Sequence, residues 1–233
     1  MHFLDARRLT GPSLLLDTHG SVLDVACSDA DAERFVPAWR RHVERMLAEL
    51  GWNDTRFAVA KLSGGISLAF TAPVDALYAA AAINEWAWSA CDHELNGVDA
   101  PDFAAAATSI REAIAAEANT ALVDLEAQAL ANGVTMLWDD DEVSLGLGRY
   151  SQTWPVRELP EPATLDWARF RDIPIALVTG TNGKTTTVRL AAHILRAAQH
   201  TVGISSTDYI AIDGEVVDRD DWSGPGGARN VLR

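Results

Sequence analysis

Ile-Pro-Ile-Ala-Leu-Val-Thr, at residues 173–179, runs directly into Gly-Thr-Asn-Gly-Lys-Thr-Thr-Thr at residues 180–187. The first part is a continuous apolar run, which is the pattern of a strand buried on both faces of a parallel sheet. The residues from Gly183 to about Gln199 have the apolar spacing of a helix. A buried strand, a glycine-rich loop and a helix in this order predict a phosphate-binding loop.

The residue types in this loop suit a nucleoside triphosphate. Glycines let the backbone approach phosphate groups closely, and a helix N-terminus presents N–H donors to them. We assign ATP contacts to Gly180, Thr181, Asn182, Gly183, Lys184, Thr185 and Thr186. Lys184 would contact the β- and γ-phosphate oxygens as the catalytic cation, and the Thr185 hydroxyl would ligate Mg²⁺. The common pattern G-x-x-x-x-G-K-[ST] needs glycine at position 178, where Val178 stands, so this is a shorter G-x-x-G-K-T loop.

The residues after the loop extend the same unit. Residues 201–206 read as a second strand, so the order is strand, loop, helix, strand, which is typical of a parallel βαβ unit. Residues 209–217 predict a hairpin around Asp213-Gly214. From Ser223 onward the sequence predicts an irregular tail. One alternative is a P-loop NTPase that hydrolyses ATP to drive movement or a switch. We disfavour it, because such proteins have a later apolar strand that ends in aspartate and none follows in this sequence.

The preceding residues have a different character and predict helices and hairpins. The apolar spacing predicts helices at 29–50, 73–91 and 102–131, and glycine- or acid-containing turns predict hairpins at 56–70 and 134–146. The turn Asp139-Asp-Asp141 is either a metal site or, as we favour, a solvated hairpin tip. Three prolines between residues 155 and 166 suggest a domain boundary.

Composition excludes several classes of partner. The net charge is −14 and the pI is about 4.7, and no basic run exceeds two adjacent residues, as in Arg7-Arg8. Nucleic acids and anionic membrane surfaces need a basic footprint, so we expect neither as a partner. Lysine is rare: Lys61 and Lys184 are the only two in the chain, and one of them lies in the loop.

Cysteine use and the N-terminal sequence indicate the compartment. Cys27 and Cys91 form no CxxC pair and have no zinc-type spacing, so we expect two buried thiols in a reducing environment. The first residues lack the apolar run of a signal peptide, and no stretch is long enough to span a membrane. A cytoplasmic location is the default expectation, and a homo-oligomer is compatible with the sequence.

Thr179–Thr187 resembles the ATP loop of the Mur ligase family, and within it that of the cyanophycin synthetases. The resemblance runs from Ile173 to Asp208 and extends to Ser223-Gly-Pro225 and Ala228-Arg229. Two N-terminal pieces, 8–12 and 145–150, resemble the first domain of cyanophycin synthetases more weakly. Those enzymes carry an ATP-grasp domain between the two regions, and this chain has none there.

The resemblance implies a fold and a domain order. The fold class is α/β: a small α+β N-terminal domain followed by the beginning of a P-loop parallel-sheet Mur ligase central domain. We place the N-terminal domain at residues 1–154, a linker at 155–172 and the partial central domain at 173–233.

The resemblance also implies a reaction. Mur ligases use ATP and Mg²⁺ to activate a carboxylate as an acyl phosphate, and an amine then displaces the phosphate to form an amide. ATP and an amino-acid or peptide-like substrate are therefore the expected partners. By the same resemblance Thr207 or Asp208, just past the second predicted strand, would help a second metal or the substrate, or else they form a polar strand-end cap.

The chain looks like the front part of a longer ligase, since no lysine follows Lys184 and no C-terminal domain is recognisable. We therefore expect no ligase turnover from these 233 residues by themselves. The alternative is an ATP-binding remnant or regulatory module without catalysis.

Overall fold

The computed structural model describes residues 1–233 and contains two compact units, Met1–Val123 and Asp124–Arg233. Both units mix helices with antiparallel sheets, so the coarser prediction of a mixed helix-and-sheet fold is confirmed. The division into 1–154, 155–172 and 173–233 stays a prediction. No helix in either unit combines the length and apolarity that crossing a bilayer would require.

The first unit is a four-stranded antiparallel sheet with helices. Its strands follow the order β1-β2-β4-β3. Their bounds are β1 (His2–Leu9), β2 (Gly20–Ala26), β3 (Phe57–Leu62) and β4 (Gly65–Thr71). The helices are α1 (Asp29–Leu50), α2 (Leu77–Asn96) and α3 (Phe103–Glu117), after which α4 (Thr120–Ala131) leads into the second unit.

Local sequence signals explain the ends of α1. Ser28 precedes the helix in an extended conformation, and its hydroxyl accepts a hydrogen bond from the Asp31 backbone N–H. Gly51 follows the helix with φ 77°, a left-handed conformation that glycine adopts without strain. The predicted helix 29–50 and the hairpins predicted at 56–70 and 134–146 are confirmed.

The prediction of one long helix over 102–131 is wrong, because the chain breaks between α3 and α4. Ala118 is extended, with ψ 121°, and ends α3. Asn119 then caps α4: its side-chain oxygen accepts the Leu122 N–H at 3.1 Å. Its backbone N–H donates to Asp75 at 2.9 Å, so a tertiary contact holds the break. Asparagine favours N-cap positions over helix interiors because its side chain competes for backbone groups.

The second unit contains two small antiparallel sheets. One has the order β5-β6-β7 and the other β10-β9-β8. The strands are β5 (Met136–Trp138), β6 (Glu142–Leu145), β7 (Gln152–Pro155), β8 (Gly203–Ser205), β9 (Ile210–Ile212) and β10 (Glu215–Asp218). The helices are α5 (Lys184–Ala197) and α6 (Pro225–Leu232). Short 3₁₀ turns occur at Gly148–Tyr150, Pro162–Thr164 and Trp167–Arg169.

The predicted parallel sheet is not found, because every sheet in the structure is antiparallel. Residues 173–179 form no strand, and the side chains of Ile175 and Leu177 are 53% and 89% exposed. A strand with two buried faces needs neighbours on both edges and layers above and below it. In this structure β8 pairs with β9 and no strand lies beside 173–179, so the apolar run stays unpaired.

The predicted irregular tail contains a helix, α6. Gly224 precedes it in an extended conformation and Pro225 occupies its first turn, where the missing N–H costs nothing. The helix packs against β8 and β9. At Gly227 a Cβ atom would collide with the backbone oxygen of Trp222, so glycine allows the helix to approach this closely. The tertiary contact, absent from any local pattern, explains why the sequence did not indicate this helix.

The two cysteines are free thiols. Cys91 is buried, and burial raises the pKa of its thiol to about 12. Cys27 is half-buried, where we expected a buried thiol.

The acidic turn between β5 and β6 is held by hydrogen bonds and by an arginine. The Asp139 carboxylate accepts the backbone N–H groups of Asp141 and Glu142 at 3.1 and 2.9 Å. Arg233 forms ion pairs with Asp139 at 2.8 Å and with Glu142 at 2.9 Å. Burial opposes ionisation of Asp139, but these bonds and the arginine charge outweigh it and lower the pKa of the carboxyl.

The Asp139 carboxylate should make stability depend on pH. A carboxyl whose folded pKa is depressed contributes stability above its unfolded pKa, about 3.8, and loses it as the pH falls through the folded pKa. We expect Asp139→Asn to lower the free energy of unfolding by roughly 1 kcal/mol at neutral pH. The gap between mutant and wild type should close as the pH falls below about 4. Urea titrations at several pH values measure it, and a gap that widens in acid contradicts the assignment.

Candidate nucleotide site

The loop before α5 turns through two glycines with positive φ. Gly180 has φ 145° and Gly183 has φ 80° with ψ −2°. Residues with a Cβ atom rarely adopt these conformations, so both positions need glycine for the backbone path itself. The G-x-x-G spacing is therefore a conformational requirement of this turn as well as a sequence motif.

The loop leaves a row of backbone donors free. The N–H groups of residues 181–186 donate no hydrogen bond, and the first bonded one is that of Thr187, to the Gly183 oxygen at 2.9 Å. The first turn of any helix has such unpaired N–H groups, and the helix dipole adds partial positive charge there. α5 has 14 residues, so this end is a full helix terminus. The arrangement favours an anion.

Lys184 brings the only full positive charge of the loop. It is the first residue of α5, and its side chain is half-buried. Its Nζ donates to the Gly180 backbone oxygen at 2.6 Å, which folds the lysine back over the loop. The ammonium group therefore lies on the same few residues whose N–H groups are free.

The other loop residues predicted to bind ATP are accessible from solvent. Thr181, Asn182 and Thr186 are exposed, and Thr185 is half-buried. No hydrogen bond holds the Thr185 hydroxyl to another protein group. The structure thus keeps residues 180–186 in one continuous loop and helix turn with their polar groups available. Their assignment as ATP contacts stays a prediction.

Thr207 lies outside this loop, in the turn between β8 and β9. It is exposed, and the structure records no hydrogen bond between it and residues 180–187. Its neighbour Asp208 forms an ion pair with Arg189 of α5 at 2.6 Å. Arg189 comes four residues after Thr185, which is one helical turn. The turn that carries Thr207 is therefore tied to α5 one turn beyond the candidate metal-binding hydroxyl.

The Arg189–Asp208 pair was not predicted from the sequence. Arg189 also places its guanidinium 5.3 Å from the centre of the Tyr209 ring. The spacing of Arg189 from Thr185 is a signal that it lies on the same face of the helix. Its partner is nineteen residues later in the chain, and only the fold brings the two together.

Comparison with known proteins finds a similarity in this part of the chain. A model of the Mur ligase middle domain matches residues 178–219. This segment is therefore similar to the Mur ligase middle domain. It contains the loop, α5 and the β8–β10 sheet, so the family match and the candidate nucleotide site coincide.

The relatives are similar over a limited stretch. Over 61 residues the chain is 56% identical to the cyanophycin synthetase of Synechocystis sp., 52% to that of Geminocystis herdmanii and 48% to that of Crocosphaera subtropica. These 61 residues are 26% of this chain and 7% of each relative. The similarity is high where it exists and confined to about a quarter of the chain.

Proposed function

We propose that this protein contributes the ATP-binding loop of an ATP-dependent, amide-forming ligase of the Mur ligase type. One observation carries the proposal: free N–H groups and one lysine surround the start of α5, inside the segment that matches the Mur ligase middle domain. The matched relatives are named cyanophycin synthetases, which supports a ligase that joins amino acids or a peptide-like chain.

The proposed roles follow from charge. A triphosphate needs donors and cations, and the loop offers both backbone N–H groups and Lys184. The Thr185 hydroxyl would hold Mg²⁺ beside the phosphates, and Thr207 would serve a second metal or the substrate. Bound ATP would supply the phosphoryl group that activates a substrate carboxylate, with ADP as the leaving group. Lys184 would offset the repulsion between the two anions.

The direct test is a titration of the 233-residue chain with ATP by calorimetry, with and without Mg²⁺. We expect saturable binding that Mg²⁺ strengthens. Thr185→Ala should reduce the Mg²⁺ effect, since the hydroxyl ligand is lost. Thr187→Ala is the matched control, because Thr187 lies one residue beyond the free N–H groups and its own N–H is already bonded.

Three outcomes of this titration are distinguishable. No binding of ATP at millimolar concentration would refute the nucleotide site. Binding together with release of ADP that depends on an added amino acid or peptide would support catalysis. Binding without such release would favour an ATP-binding module that does not catalyse ligation.

A further inference from the structure

A second polar feature of the second unit is a cleft between α5 and the β8–β10 sheet. The cleft has a volume of about 290 Å³. Arg189, His193 and Arg196 line it from the helix, and Tyr209 and Gly214 line it from the sheet. None of residues 180–187 lines it. The cleft is therefore separate from the candidate nucleotide loop.

The three basic residues share one face of α5 because of their spacing. Arg189, His193 and Arg196 stand at positions i, i+4 and i+7, which recur on the same side of a helix. The two arginines are seven residues apart, or roughly 10 Å along the helix axis. The side chains from the sheet that line the cleft bring no carboxylate. Such a surface is unusual in a chain with a net charge of −14.

The two arginines differ in what they contact. The Arg189 guanidinium is fixed by Asp208 at 2.6 Å and lies beside the Tyr209 ring. Arg196 has no carboxylate partner in the structure, and it is half-buried against the turn at Gly214. A Cβ atom at Gly214 would collide with its guanidinium, so the glycine leaves the room that Arg196 occupies. Arg196 and His193 are consequently the side chains with unused donors.

We propose that this cleft binds a small polyanion through Arg196 and His193, with Arg189 held in place by Asp208. The ligand class is a compact molecule with phosphate or carboxylate groups, because guanidinium and imidazole N–H groups recognise both oxyanions. Arg196 and His193 are three residues apart, roughly 4.5 Å along the helix axis, which suits a compact ligand whose anionic groups lie close together. The site goes beyond the proposed ATP loop and does not depend on it.

The test uses the full 233-residue chain with Lys184→Ala, so that phosphate binding at the loop is weakened. Tripolyphosphate and succinate are titrated separately without metal, and amide shifts are followed by NMR. We expect saturable shifts at Gly214 and around His193 and Arg196. Saturation with tripolyphosphate alone would assign a phosphate ligand to the cleft. Saturation with succinate alone would assign a carboxylate ligand. Saturation with both probes would show that the cleft binds either kind of oxyanion. Absence of saturable shifts at these residues with both probes overturns the proposal.

Substitutions locate the binding. Arg196→Gln should weaken it at least fivefold, since one charge-assisted contact is lost. Arg196→Lys should restore part of the affinity because it keeps the charge, which a merely structural effect would not do. Arg219→Gln is the matched control, as Arg219 is exposed and does not line the cleft. Equal affinities of Arg196→Gln and Arg219→Gln would overturn the assignment. Loss of ATP binding at the loop would leave this result unaffected.

Discussion

Replacing Lys184 with alanine is expected to weaken ATP binding by this chain at least tenfold. A hydrogen bond to a charged group contributes about 1.5–3 kcal/mol, and a tenfold change in affinity corresponds to about 1.4 kcal/mol. Lys184 is the one full cation among residues 180–187, where the free backbone N–H groups also lie. The phosphates would therefore lose their strongest single contact and keep only the backbone donors.

Lys61 provides the control, because it is the only other lysine of the chain. It lies on β3 in the first unit and is exposed, so Lys61→Ala should leave ATP affinity unchanged. Lys184→Ala also removes the bond from Nζ to the Gly180 oxygen. Hydrogen exchange of the loop amides must therefore confirm that the loop keeps its conformation. Calorimetric affinities that agree between the two variants would remove Lys184 from the site.

Elements determined by local chemistry could be predicted from the sequence. The helix α1 has a serine cap and a terminal glycine, and both act through neighbouring backbone groups. The hairpin of β9 and β10 turns at Asp213 and Gly214, which have φ 50° and 95° as such a turn requires. α5 follows from its own apolar spacing. In these cases the residues that determine the structure lie within a few positions of it.

Elements that depend on distant partners could not be predicted in the same way. β1 was not expected, since its side chains are mostly exposed and it exists through its pairing with β2. α6 forms where it can pack on β8 and β9. At residues 173–179 the error is reversed, since a strand was predicted and none forms. The composition is that of a buried strand, but a strand also needs a neighbouring strand to pair with, and composition does not show whether one is present.

The residues of the candidate site also fall into two groups, those predictable from a local motif and those brought together only by the fold. Residues 180–186 are contiguous, so their residue types and the glycine spacing were enough to indicate a phosphate loop. Arg189 and Asp208 meet only because α5 packs against β8. The cleft lined by Arg196 depends in addition on the turn at Gly214. A motif reveals the part of a site that lies on one short segment, and the fold is needed for the rest.

A second large effect is expected from Asn84→Ala in the first unit, where a polar chain crosses the core. The Trp39 indole N–H donates to the Asn84 side-chain oxygen at 2.9 Å, and the Asn84 amide donates to the Ser21 hydroxyl at 2.9 Å. All three side chains are fully buried. The chain continues to the backbone oxygen of Arg7, at 3.3 Å, so it links α1 and α2 to β2 and β1.

Alanine at position 84 would leave the Trp39 N–H without an acceptor and would open a small cavity. An unsatisfied buried donor costs about 1–3 kcal/mol, and the lost packing adds to it. We expect the free energy of unfolding of the first unit to fall by about 3 kcal/mol, read from urea titrations followed by tryptophan fluorescence. Asn96→Ala is the control, because Asn96 is an exposed residue at the end of the same helix, and it should change stability by less than about 0.5 kcal/mol. If the two variants unfold at the same urea concentration, the buried network does not stabilise the fold.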